Sequence, residues 1–141
     1  METTTRYPAP TGAGDLTRRT TAGVLVAVVA ALLVRAVVTT LGLPVGPSGA
    51  TSPFASFPIV TSVVVAGVGA ALVYAGLVRT TARPVRNFAA LVAVVFLGML
   101  VPVVAVAPAL GVTAVGQAVL VVLHLVVAVP ITAFVVGAVR L

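Results

Sequence analysis

The sequence predicts an all-α integral membrane protein, an antiparallel bundle of four transmembrane helices. Three observations carry that expectation. Of 141 residues, 61% are hydrophobic and 7% charged, with a mean hydropathy of +1.31; a water-soluble domain of that composition could not cover its surface with polar side chains. The apolar residues fall into four runs, about residues 20–41, 57–78, 88–107 and 112–139. Each holds at least the roughly 20 residues that cross a hydrocarbon core of about 30 Å at about 1.5 Å per residue. Seven of the eight arginines stand outside these runs, and the loops they occupy alternate with loops that hold none.

Met1 to Arg19 is polar and rich in Thr, Pro and Gly, without a helical apolar period, which predicts a disordered tail over residues 1–19. Arg18 and Arg19 stand directly before the first run. A basic flank also opens a signal peptide, but the apolar stretch of a signal peptide is only about 7–15 residues. The longer run here reads as an uncleaved first span.

That span, Thr20–Leu41, contains Arg35 well inside it. An arginine at mid-span costs roughly 2.5–3.5 kcal/mol, offset by six to ten Leu or Val residues at about 0.3–0.6 kcal/mol each. Residues 43–58 carry Pro44, Gly46, Pro47, Ser48, Gly49, Ser52, Pro53, Ser56 and Pro58, a density of turn formers that stops a helix. The loop is uncharged, and Phe54 and Phe57 suit a membrane interface. In the second span Gly67, Ala71 and Ala75 repeat at i+4, the spacing of a close-packing seam in lipid.

Arg79, Arg83 and Arg86, with Pro84 among them, form a tight basic turn. The third span contains Pro102, which cannot donate to the Gly98 carbonyl and so predicts a kink. Pro108–Val112 reads as a short uncharged turn. The fourth run, Val112–Val139, is 28 residues with Pro130 inside, so as one helix it must tilt, kink or project beyond the bilayer. Arg140 closes it. The arginine pattern places both termini and the basic turn on the cytoplasmic side of a cell membrane by the positive-inside rule.

Much chemistry is excluded. There is no cysteine, hence no disulfide or thiolate site, and the single histidine rules out a bis-histidine haem. No span holds Asp or Glu, so carboxylate metal sites and proton relays have no ligands. The expectation is no enzyme, no cofactor and no metal. The positive charge of +6 sits at span ends without a basic face interleaved with aromatics, which argues against nucleic acid as a partner. The partners expected are the lipid bilayer and either further copies of the chain or another membrane protein.

Depth suggests one candidate site. Arg35 lies 16 residues from Arg19, His124 lies 16 from Arg140, and the same count from Arg86 and Arg79 reaches Pro102 and Val63, beside Thr61 and Ser62. At helical rise these features share a level about 24 Å from the basic side. Ser62, the Gly98 carbonyl and a neutral His124 can all accept from an arginine. Thr113, Gln117 and His124 share one helix face. Arg35, His124, Gln117 and Ser62 are therefore the candidate ligand-binding residues, opening to the outside. Each has a plainer reading: Arg35 snorkelling to lipid phosphates, His124 as a packing residue, Gln117 among the headgroups.

The Arg18-Arg19 pair, the Leu33-Val34-Arg35-Ala36 run, Arg83-Pro84-Val85-Arg86-Asn87-Phe88, Pro102 and Leu123-His124 together resemble an uncharacterised four-span membrane family, a domain of unknown function of haloarchaeal and actinobacterial type. The resemblance covers about Thr17 to the end. Members often carry a serine before the span-three proline and an aspartate after it, where this chain has Val101 and Val103. The resemblance implies the topology and no activity. The functional expectation is a small non-enzymatic membrane protein, an accessory or oligomer-forming subunit. Two alternatives stand beside it: a binding or transport protein whose outward pocket takes an anionic or quinone-like molecule, and a lipid-binding protein whose Arg35 holds an outer-leaflet phosphate.

Overall fold

A computed structural model describes residues 7–141. The elements are α1 (Ala13–Thr40), α2 (Ser56–Thr80), α3 (Pro84–Ala105), a 3₁₀ turn (Ala107–Leu110) and α4 (Ala114–Val135), with no strand among the described residues. All four α-helices are long and apolar enough to cross a membrane. The protein is a multi-pass membrane protein with a helical bundle.

Two boundaries differ from the sequence reading. The helix α1 begins at Ala13, so residues 13–19 are helical and not a disordered tail; the part of that expectation over residues 1–6 lies outside the described residues. Local polar bonds start this helix early. Asp15, in the first turn, accepts from the Thr11 amide at 3.2 Å and pairs with Arg19 at 2.9 Å, one turn on. The Thr17 and Thr20 hydroxyls bond back to the carbonyls of Ala13 and Leu16. The second difference is α4, which has 22 residues where the fourth run has 28. Thr113 caps its start, and Gly137, at φ +76°, ends it: the amides of Gly137 and Ala138 donate to the carbonyls of Phe134 and Ala133 at 3.1 and 2.8 Å, a Schellman stop. At about 1.5 Å per residue α4 is about 33 Å long, close to the thickness of a hydrocarbon core.

The helices do not pack equally. The first, α1, lies against α4 along most of its length and against α2; α3 packs on α2 and α4, and α2 touches α4 across the diagonal. That diagonal contact puts α1 and α3 at opposite corners. Small residues set the spacing, because helices in lipid associate by close packing and not by burial from water. Gly23, Ala27 and Ala31 form a buried row on α1. A Cβ at Gly23 would meet Phe134 Cβ at 3.0 Å and Ile131 Cα at 3.3 Å, so glycine is what lets α4 approach. Gly67, in the seam anticipated on α2, seats Val24 and Thr20 of α1. Near the arginine end the Tyr74 ring meets Phe88 edge-on, centroids 5.2 Å apart, joining α2 to α3.

The antiparallel order gathers Arg18, Arg19, Arg79, Arg83, Arg86 and Arg140 at one end of the bundle. The loop 41–55 and the 3₁₀ turn are at the other, with Arg35 beneath them.

Candidate functional site

The uncharged end is covered by the loop from α1 to α2, which is tied down at two places. Gly42, at φ +61°, ends α1 with a second Schellman stop, the Leu43 amide donating to Val38 at 3.1 Å and the Gly42 amide to Thr39 at 3.2 Å. This sends the chain over α4. There Thr113 works on both sides of its own helix start. Its hydroxyl accepts from the Gly116 amide at 3.0 Å, the N-cap bond, and donates to the Pro44 carbonyl, while its amide donates to the Val45 carbonyl at 3.2 Å. The approach is close enough to require glycine at two positions: a Cβ at Gly116 would collide with the Val45 carbonyl, and Gly46, at φ +116°, faces the Gly111 carbonyl in the same way.

The second tie is Arg35. Its Nε donates to the Phe54 carbonyl at 3.0 Å. The loop reaches that carbonyl through buried Ser52, whose hydroxyl donates to Pro47 at 2.7 Å and accepts from the Phe54 amide at 3.2 Å. Between the two ties lies a cavity of about 810 Å³. Arg35, Thr39, Ser48, Ser52 and Thr113 give it polar groups, and Ile59, Val119 and Leu123 an apolar wall. Arg35 is half-buried, and among the described residues its Nη groups have no hydrogen-bond or carboxylate partner. A guanidinium with two free donor groups beside an apolar wall can take one anionic or carbonyl oxygen pair, with hydrocarbon behind it.

The other sequence candidates stand elsewhere, and none of them lines this cavity. His124 is half-buried on α4, one residue past Leu123, and its Nδ1 lies 2.6 Å from the Leu120 carbonyl. That contact fixes the proton on Nδ1 when the ring is neutral. Gln117 donates to the Val103 carbonyl at 2.8 Å. It thereby satisfies one of the last carbonyls of α3, a bond that joins α3 to α4 just past Pro102. Ser62 faces outward on α2. The carbonyl that Pro102 deprives of a donor, Gly98, belongs to α3, diagonally opposite α1, whereas Arg35 uses Phe54. The expected common level is not what the structure shows either. The helix α2 runs antiparallel to α1, with Gly67 against Thr20 and Val24 and Phe54 against Arg35, so Ser62 stands roughly 10 Å below Arg35 at helical rise. The four residues are not brought together.

Ser52 and Phe54 are the site residues that sequence reading treats only as turn and interface residues. A signal existed for Thr113, a hydroxyl residue one position into the fourth run and just after Gly111, where a helix N-cap can stand. For Phe54 no side-chain signal is possible, since its carbonyl makes the contact.

Comparison with curated proteins and with solved structures gives no match. The sequence does match, over residues 11–140, the family of unknown function DUF6069. That match spans all four helices, the covering loop and every arginine but Arg6, and the chain belongs to this family.

Proposed function

We propose that the protein is a non-enzymatic membrane protein that binds an anionic amphiphile beneath its outer loop, the anionic group on Arg35 and the apolar part along Ile59, Val119 and Leu123. The observation that carries this reading is the half-buried guanidinium held by Nε alone at the edge of an 810 Å³ cavity. A charge withdrawn from water is stable only when paired, and the described residues supply a single carbonyl. An anion completes the pairing better than a quinone carbonyl, which brings no charge. Flank and loop arginines gathered at one end, against an uncharged loop at the other, support cytoplasmic termini in a cell membrane and an outward-facing site. The absence of catalysis is supported by spans without carboxylates and by a sole imidazole already engaged with Leu120.

Native mass spectrometry of the purified protein with a dodecyl phosphate, a short-chain quinone and an uncharged alkyl maltoside tests the reading. The phosphate should bind, and Arg35→Gln should weaken it by about tenfold or more, the equivalent of one charge-assisted hydrogen bond at roughly 1.5–3 kcal/mol. Val119→Phe, which fills the apolar wall without touching the arginine, should weaken it as well. Equal affinity for the quinone would replace the anion, and binding indifferent to both substitutions would remove the site.

A second reading, an oligomer-forming or accessory subunit, is favoured by a separate feature. Ser62, Ala66, Gly69, Val73 and Gly76 all face outward on α2 at spacings of 4, 3, 4 and 3. A Cβ at Gly69 or Gly76 meets nothing, so the row is free to take a close helix partner. Cysteine at Gly69 should crosslink between copies in membranes if that partner is a second chain.

A further inference from the structure

The arginine end holds a second cavity, of about 220 Å³, between the start of α1 and the chain that leaves α4. Arg18, Arg19 and Arg140 line it together with Asp15. Its shape depends on Gly137. The left-handed turn there, φ +76°, folds the last residues back over α1, and the glycine lies so close to Arg19 that a Cβ would stand 2.5 Å from Nη1. Arg140 is thereby brought to the same opening as Arg18.

The three arginines are not equivalent. Arg19 is used by the fold: Nη2 pairs with Asp15 at 2.9 Å, Nη1 donates to the Pro8 carbonyl at 3.0 Å, and the side chain is 11% exposed. Asp15 is likewise engaged, by Arg19 and the Thr11 amide. Arg18 and Arg140 are exposed, and among the described residues neither pairs with a carboxylate, side-chain or terminal. Three arginines therefore line one cavity with a single side-chain carboxylate, Asp15, already taken by Arg19, and the chain end at Leu141. The surplus is positive, and two planar donor forks remain open. Planar forks match tetrahedral oxyanions, which they can bind in bidentate fashion. The level also matters. The apolar part of α1 begins immediately after Arg19, so the cavity lies where headgroup phosphates lie, and basic pockets between helices at that level bind such groups.

We infer that this cavity is a phosphate site, taking the phosphate group of an inner-leaflet lipid or a free phosphate, bound by Arg18 and Arg140 on a floor fixed by Arg19 and Gly137. It is independent of the outer cavity and uses none of its residues.

The test is a native mass spectrometry titration of the full chain in neutral maltoside detergent. The probes are dioctanoyl phosphatidate, dioctanoyl phosphatidylcholine and inorganic phosphate. Phosphatidate should bind saturably and more tightly than the choline lipid. Arg18→Gln with Arg140→Gln should weaken it about twenty-five-fold, about fivefold per arginine near an anionic headgroup. Arg83→Gln with Arg86→Gln removes the same charge from the neighbouring turn and should change it less than about twofold. Arg18→Lys with Arg140→Lys keeps the charge and should fall between, since the forks are lost. Each titration is repeated with Arg35→Gln, so that a loss confined to that background is scored to the outer cavity. Binding of phosphatidate alone assigns a lipid, and equal binding of inorganic phosphate assigns a soluble ion; both support the site. Failure of all three probes, or equal weakening by the two arginine pairs, overturns it.

Discussion

The Nε of Arg35 donates to the carbonyl oxygen of Phe54 at 3.0 Å across a separation of 19 residues, so the only arginine within an apolar run holds down the far half of the loop that covers it. Thr113 holds the near half through Pro44 and Val45. The loop is thus clamped from α1 and α4, the two helices that pack most extensively.

Removing the first clamp should loosen the loop and not the bundle. Arg35→Leu removes an insertion cost of roughly 2.5–3.5 kcal/mol, so the span itself gains, while the Phe54 carbonyl loses its donor. Amide exchange over residues 49–56 should rise by about tenfold, with exchange in the helices unchanged. Exchange that stays the same throughout would mean the bond does not restrain the loop.

Orientation is open to a direct chemical check. With cytoplasmic termini, cysteine at exposed Ser48 should react with an impermeant thiol reagent applied outside, and cysteine at exposed Ala82, in the basic turn, should react only after the membrane is opened. The reverse pattern would invert the assignment of both cavities to their membrane faces.

Two glycines separate packing from propensity. Gly23→Ala would place a Cβ 3.0 Å from Phe134 Cβ and 3.3 Å from the Ile131 backbone, so it should destabilise by about 1–3 kcal/mol as α4 is pushed away. Gly98→Ala, on α3, meets nothing within 4 Å and should stabilise by up to about 1 kcal/mol through helix propensity. Thermal unfolding in one detergent compares them, and equal shifts would contradict the close α1–α4 seam.

Tyr74 offers the opposite case, a polar atom the fold would be better without. Its hydroxyl is buried and has no hydrogen-bond partner among the described residues. Tyr74→Phe should keep the edge-on contact with Phe88 and stabilise by about 1 kcal/mol, because an unsatisfied buried hydroxyl carries a desolvation cost that phenylalanine lacks. A loss of stability of that size would reveal a partner that the hydroxyl has in the membrane.

The sequence by itself determined the class, the number of helices and which ends lie together. Each rests on composition and on the length needed to cross hydrocarbon, quantities that no tertiary contact can change. Tertiary structure alone decided what stands beside Arg35. A count of 16 residues predicts one level for Arg35, His124, Pro102 and Val63, but it takes the basic ends of all four helices as level, which the packing of Gly67 against Val24 overturns for Val63, and it says nothing of rotation about each helix axis or of which helices are diagonal. Those follow from where glycine and alanine let backbones meet, with Gly23 bringing α4 to α1 and the α2–α4 contact keeping α3 away. The helix limits were decided in the same way. Gly137 ends α4 and Asp15 starts α1 early through bonds to neighbouring backbone and to Arg19, weak signals beside a 28-residue apolar run. The partner of Arg35 was the least legible of all, because a main-chain carbonyl looks alike at every residue and only the fold of the loop selects that of Phe54.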